Sequence, residues 1–241
     1  MLARLEDSAV MDDIALTIDS YVVTPRVFPG GDLGRLAVSG TVNDLWMAGA
    51  EPLGLSAALI LEEGLPLAAL DRLLDSLGRT AREAGVELVA GDTKVVARGA
   101  CDGVFITTAG VGRTSPDFRP SPARVAPGDA VLVSGSLADH GVAVLSAREG
   151  FDIKGEIRSD VAPLSSLVRA LREAGLTVHA LRDPTRGGAA QSLIEVAAAA
   201  GARIVLEESA IPVKPAVRAA CELLGLDPLY VANEGKLLLS L

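Results

Sequence analysis

The sequence predicts an α/β chain of two units, and three observations carry that prediction. Short apolar runs alternate with stretches of helical spacing in both halves. Ala, Leu, Val and Gly dominate while aromatics make up only 3% of residues, a mix that suits helices packed closely on a sheet and argues against disorder. Between 113 and 127 the composition turns to Ser-Pro-Asp-Phe-Arg-Pro-Ser-Pro, the one Pro-rich stretch, which reads as a boundary. With 241 residues the chain can bury two ordinary cores. The expected division is 1–114, a linker at 115–127, and 128–241.

Charge narrows the function classes. A net charge of −9 disfavours a general nucleic-acid or membrane-surface role, since both need a basic patch. Nucleotides stay possible, because a metal ion bridges carboxylates to phosphates. No apolar run approaches the roughly twenty residues that span a bilayer, and Glu6-Asp7 falls where a signal peptide needs its apolar centre. Cys101 and Cys221 are too few for a disulfide framework, so a cytoplasmic setting is expected and both read as small buried hydrophobes.

In chain order, Ile14 to Val23 reads as a strand broken by Asp19-Ser20. A carboxylate there is costly unless coordinated, so Asp19 is either a metal ligand or an edge residue facing water. Phe28-Pro29-Gly30-Gly31-Asp32 is a turn feeding a helix from 33 to 47, with Asp32 as its cap. The two glycines suit a phosphate-cradling loop or a plain turn. Inside that helix Asn43 and Asp44 are poor helix formers amid small apolar neighbours, which suggests a use for their side chains, while Trp46 reads as packing. Leu67 to Ala84 is an amphipathic helix stopped by Gly85.

The run Leu88-Val89-Ala90 then reads as a buried strand that ends in Gly91-Asp92-Thr93-Lys94 and resumes as Val95-Val96. Gly91 permits close approach, Asp92 suits a hard cation and Lys94 a phosphate; a simple strand-to-turn junction reads as well. A strand follows over 102–112. The second half offers strands at 129–134, 176–180, 203–207 and 236–241, and helices from the turn at Gly135 through Arg148, at 161–174, 188–200 and 215–224. His140 and His179 lack metal-ligand spacing and read as turn or core residues. Asp183-Pro184-Thr185-Arg186-Gly187-Gly188 opens a helix and can face an anion, or merely cap it. Glu234 lies between two apolar runs, a setting for a base of altered pKa or for a hairpin turn.

Taken together, Phe28-Pro-Gly-Gly-Asp, Gly40-Thr-Val-Asn-Asp-Leu, Gly91-Asp-Thr-Lys-Val-Val, Asp183-Pro-Thr-Arg-Gly-Gly and Ala232-Asn-Glu-Gly-Lys resemble the hydrogenase maturation family HypE. That family shares the PurM-like fold of aminoimidazole ribonucleotide synthetase, selenide water dikinase and thiamine monophosphate kinase. The resemblance covers essentially the whole chain. It implies a two-domain α/β (α+β type) fold whose N-terminal mixed sheet pairs with its counterpart in a homodimer, ATP lying near that interface, and a C-terminal α/β sandwich.

The resemblance also implies a reaction, the ATP-dependent dehydration of a C-terminal cysteine thiocarboxamide to a thiocyanate. A HypF-type carbamoyltransferase supplies the group, and cyanide passes to iron on a HypC–HypD scaffold of nickel-iron hydrogenase. By motif, Asp7, Asp19, Asp44 and Asp92 are implied as Mg²⁺ ligands. Asn43, Gly91, Thr93, Gly30, Gly31, Asp183 and Arg186 are implied as nucleotide contacts, Lys94 as the stabiliser of the transferring phosphoryl group, and Glu234 as proton acceptor. Two departures stand out. The family's terminal Pro-Arg-Ile-Cys tail and its Gly-rich N-terminal segment have no counterpart here, so a truncated chain unable to turn over in cis is expected. A nucleotide-binding pseudoenzyme dimer and a small-molecule kinase of the same superfamily are the competing readings.

Overall fold

A computed structural model of the chain describes residues 7–151 and 157–241. The first half is built on strands β1 (Ala9–Met11), β2 (Ile14–Tyr21), β5 (Ala50–Glu62), β6 (Leu88–Val96) and β7 (Val104–Thr114), in the order β1-β2-β7-β5-β6. Neighbours run antiparallel except β5 and β6, which are parallel and joined through a helix, as parallel strands require. A two-stranded ribbon, β3 (Val27–Phe28) with β4 (Gly31–Asp32), delivers the chain to α1 (Leu33–Met47). Asp32 caps α1 as expected, its Oδ1 accepting from Arg35 N at 2.8 Å. Almost every residue of α1 is buried, which a helix apolar on all sides demands. The next helix, α2 (Leu67–Ala84), buries Leu73, Leu77, Ala81 and Ala84 and stops at the left-handed Gly85.

These two helices cover one face of the sheet, burying Ala15, Thr17, Ile106, Thr108, Ala57 and Leu59. Strand side chains alternate, so the other face carries Leu16, Ile18, Val111 and Ile60, all exposed in the monomer. Two sequence expectations are corrected here. Leu88-Val89-Ala90 is not buried: β6 is an edge strand, with no neighbour beyond it among the described residues. The long strand β5 is at the heart of the sheet although the reading in chain order did not identify it. Pro52 and Gly54 look like breakers, yet a register shift against β7 between them absorbs the irregularity.

The second half contains β8 (Val131–Val133), α3 (Asp139–Glu149), α4 (Ser165–Glu173), β9 (Ala180–Arg182), α5 (Gly188–Ala200), α6 (Pro215–Leu224) and β10 (Leu238–Ser240). The three strands form an antiparallel sheet in the order β8-β10-β9. Residues 203–207 are not a strand, because no ladder partner reaches them among the described residues. Cys221 is buried beside Val142 and Val217, as a small hydrophobe. His140 is a core residue too: Nδ1 lies 2.8 Å from Ser159 Oγ, its ring meets Phe28 edge-on, and burial holds its pKa down at about 4.

The two halves share one core. Leu164, Val168, Val178 and Leu181 pack with Leu36, Val42 and Trp46 of α1. Trp46 Nε1 donates to Ser165 Oγ at 3.0 Å, and the Arg169 guanidinium lies 5.3 Å from the indole centroid. The expected helix at 161–174 begins only at Ser165, since residues before it are tied to the first half. Arg35 Nε donates to Val161 O at 2.8 Å, and Asn43 Nδ2 donates to Ala162 O at 3.1 Å. Among the described residues no helix is long and apolar enough to cross a membrane.

Candidate functional site

Where β2, α1 and the end of β9 meet, acidic side chains converge. Asp19 and Tyr21 come from β2, Gly40 and Asp44 from α1, Asp183, Thr185 and Arg186 from the turn after β9, and Glu234 from the turn before β10; together they line a cavity of about 170 Å³. Asp7, Asp44 and Asp183 each bring a carboxylate oxygen to within 4.8 Å of the others. Thr17 Oγ1 fixes Asp44 by donating to its Oδ2 at 2.8 Å, and Arg182 Nη1 lies 3.0 Å from Asp7 Oδ1 while also pairing with Glu195. Arg186 is almost wholly exposed and stands 3.9 Å from Asp19.

Electrostatically the cluster is unfavourable without a cation. Burial, then the charges of Asp183, Asp7 and Asp19, push the Asp44 carboxyl well above its ordinary range, against the Thr17 hydrogen bond. Burial raises Asp183 to about 6, with Arg182 opposing. Glu234 is driven well up by burial and by Asp183, Asp160 and Asp19, and Asp19 is raised by burial with Arg186 opposing. Carboxylates brought together this way lower their energy by sharing protons or by coordinating a hard cation. Oxygen donors converging from three segments, next to a pocket open to solvent, fit Mg²⁺.

Backbone constraints explain why these turns sit where they do. Asn233 is fully buried and joins them: its Oδ1 accepts from Ala138 N at 2.8 Å, and its Nδ2 donates to Pro184 O at 3.2 Å. Gly188, with φ +64°, packs against the Leu229–Val231 backbone, where a Cβ would lie 2.8 Å from Val231 O. Gly40 leaves room inside α1 for the Tyr21 hydroxyl, which lies 3.2 Å from Thr41 Oγ1. Tyr21, Thr17 and Asn233 were not among the candidates read from sequence; a glycine in mid-helix was the one available hint for the first.

Several expected residues lie elsewhere. Asn43 is 1% exposed, and its amide is occupied by the backbone of the second half, Leu164 N donating to Oδ1 at 2.8 Å, so it holds the junction and does not line the pocket. Gly30 and Gly31 are not an open cradle. A Cβ at Gly30 would sit 2.5 Å from Ser159 O, and one at Gly31 2.5 Å from Val161 Cγ1. Those glycines serve close packing.

Gly91, Asp92, Thr93 and Lys94 are exposed on β6, and Asp92 is not in the carboxylate cluster. Across the sheet Asp19 is in register with Thr108, Ala57 and Gly91, which puts β6 three strand spacings, about 14 Å, from Asp19. Asp92 and Lys94 pair with Ala58 and Ile60 and share their open face, whereas Asp19 shares the helix-covered face. Within one chain the four expected Asp ligands do not all come together: Asp7 and Asp44 meet, Asp183 joins them, Asp19 lies beside them, and Asp92 stands apart.

Comparison with known proteins bears on this arrangement. The profile described as AIR synthase related protein, N-terminal domain, matches residues 5–114, and that of the C-terminal domain matches 126–241. Carbamoyl dehydratase HypE of Cupriavidus necator is 56% identical over 224 residues, covering 93% of this chain and 64% of that protein. The chain thus spans slightly less than two thirds of that relative's length. A crystal structure of a HypE–HypF complex superposes with a TM-score of 0.95 at 48% identity, covering 98% of this chain and 78% of that one. A HypE crystallised in complex with ATP gives 0.93 at 51% identity, with 98% and 72% covered.

Proposed function

The chain belongs to the HypE family of AIR synthase related proteins, and on that premise we propose that it carries the ATP-using part of a carbamoyl dehydratase in nickel-iron hydrogenase maturation. The observation that supports this most is the meeting of Asp7, Asp44 and Asp183 beside Glu234, in a chain half identical to a HypE solved with ATP.

In the proposed reaction the oxygen of a cysteine thiocarboxamide attacks the γ-phosphorus of ATP, and ADP leaves. The oxygen then departs as phosphate while nitrogen gives up two protons, which leaves a thiocyanate and makes the cyanide carbon available to iron. Asp7, Asp44 and Asp183 would hold Mg²⁺ with Asp19 beside them, and the ion supplies neutralisation of phosphate charge. Lys94 stabilises the transferring phosphoryl group, with Asp92, Thr93 and Gly91 next to the nucleotide. Glu234, half-buried and raised in pKa, takes a proton from nitrogen, since a carboxylate of raised pKa is a stronger base. Arg186 guides the anion in from solvent.

Lys94 cannot reach its own chain's acidic pocket across the sheet. The proposal therefore includes a homodimer that pairs the open sheet faces and β6 edges, so that one protomer's Lys94 and Asp92 serve the other's pocket. The apolar open face supports this, because Ile18 is 69% and Val89 67% exposed in the single chain. A HypF-type carbamoyltransferase as donor of the carbamoyl group, a HypC–HypD iron scaffold as acceptor, and a cytoplasmic setting complete the reading. The two matched segments would be its two domains.

The test supplies the chain with Mg-ATP and a short peptide ending in S-carbamoylcysteine. Peptide mass should fall by one water as ADP forms, in equal amounts. ADP formation with the peptide unchanged in mass would sink the dehydratase reading, and phosphorylation of a diffusible small molecule would replace it with the kinase one.

A further inference from the structure

Residues 157–160 attracted no notice in the sequence and 161–164 were read only as the start of a helix, yet the segment runs between α1 and the Glu234 turn and touches both. Asp160 lies on this segment with its side chain 4% exposed. It accepts from Glu234 N at 3.3 Å, from Gly235 N at 3.3 Å and from Lys236 Nζ at 3.1 Å. Two residues on, Ala162 N donates to Glu234 O at 3.5 Å. The approach is so close that a Cβ at Gly235 would overlap Asp160 O. Ser159 and Val161 on either side are anchored in turn: Ser159 N donates to Pro29 O at 2.8 Å, and Val161 N to Ser159 Oγ at 3.0 Å.

We propose that Asp160, locked to Lys236, is the positioning residue for Glu234, fixing the turn from which that carboxylate meets the substrate nitrogen. This rests on the role given to Glu234 above. Every backbone polar group of Glu234 is gripped by 160–162, so the side chain is aimed by a rigid frame. The frame matters because a shift of about 1 Å in a reacting group costs on the order of 100-fold in rate.

The experiment compares Asp160→Asn, Asp160→Ala and Glu234→Gln, and the pairing of Asp160→Asn with Glu234→Gln, by peptide dehydration and by hydrogen exchange. Asp160→Asn keeps one acceptor and should lower kcat about 10-fold, and Asp160→Ala about 100-fold, with KM for ATP within twofold of wild type. Exchange at the Glu234 and Gly235 amides should accelerate before that of α1 does. In the Glu234→Gln background Asp160→Asn should cost nothing more. Wild-type kcat in Asp160→Ala, an effect that multiplies with Glu234→Gln, or faster exchange spread evenly through the chain overturns the proposal. If Glu234→Gln itself turns over normally, the base assignment fails and this inference falls with it. An inactive Glu234→Gln beside an active Asp160→Ala removes the positioning role alone.

Discussion

The acidic pocket and the β6 edge are built on opposite plans. In the pocket, Asp44, Asp183 and Glu234 are desolvated, crowded and locked by Thr17, Asn233 and Asp160. On β6 the residues Asp92 to Lys94 are exposed, carried by a strand with nothing beyond it. The prearranged half stores repulsion that a cation relieves, and in the proposed dimer the exposed half is completed by a second copy. The contrast teaches that, on that proposal, one chain holds all the residues of a site without holding the site.

The sharpest way to break this comparison is to disable each half separately. Asp44→Asn and Lys94→Ala should each cut peptide dehydration about 100- to 1000-fold. Mixed in equal amounts and allowed to exchange subunits, the two dead variants should recover about a quarter of wild-type activity, because half the dimers then hold one intact composite site. Folded variants that never complement would show that the halves do not work together across an interface.

Next in size is the open face. Ile18→Lys should give a monomer by sedimentation, with turnover down at least about tenfold. Binding of Mg²⁺ alone, measured by calorimetry, should persist in that monomer, since its ligands lie on the helix side. Loss of Mg²⁺ binding together with dimerisation would erase the distinction between the two regions.

Locking is tested by Asn233→Ala, which strands the Ala138 N–H that now donates to it. Unpaired buried groups cost about 1–3 kcal/mol each, so Tm should fall by roughly 5–10 °C in a chain of this length. An unchanged Tm would mean that the pocket is less rigidly framed than its hydrogen bonds indicate.

Smallest is the repulsion itself. Asp183 binds its proton more tightly folded than unfolded, so its contribution to stability is fully present below about 4 and is lost as pH rises through about 6. His140, lowered to about 4, works in the opposite sense, its contribution present above 6.5 and lost as pH falls through 4. The difference between Asp183→Asn and wild type isolates the carboxyl. That variant should melt a few degrees higher at pH 7 without Mg²⁺ and at the same temperature near pH 3. Saturating Mg²⁺ should remove or reverse the gain, because only the wild type binds it tightly. A variant less stable than wild type at neutral pH would contradict the stored repulsion.

How much of this was readable beforehand depends on where the information lies. Local signals were legible: Asp32 as a cap, Gly85 as a stop, the α2 periodicity and the spans of α5 and α6. They depend on neighbours a few residues away. β5 was not legible, since its place is fixed by β7 and β6 on either side while its own Pro52 and Gly54 argue against a strand. Asp44 and Glu234 stood out because a polar residue amid apolar ones is a local anomaly. Tyr21, Asn233 and Asp160 did not, since their use depends on partners from 20 to 95 positions away. The separation of Asp92 from Asp44 was likewise hidden, because strand order, not sequence order, sets that distance.

Trp46 gives the molecule a native optical reporter. It is the only tryptophan, it is fully buried, and it lies where α1 grips α4 beneath the stacked Arg169. Any rearrangement where the two halves meet must alter what surrounds that indole, so its emission wavelength and quenching report on that junction without an added dye. Titrating nucleotide while watching 46 alone would separate ligands that merely fill the pocket from those that close the protein around themselves.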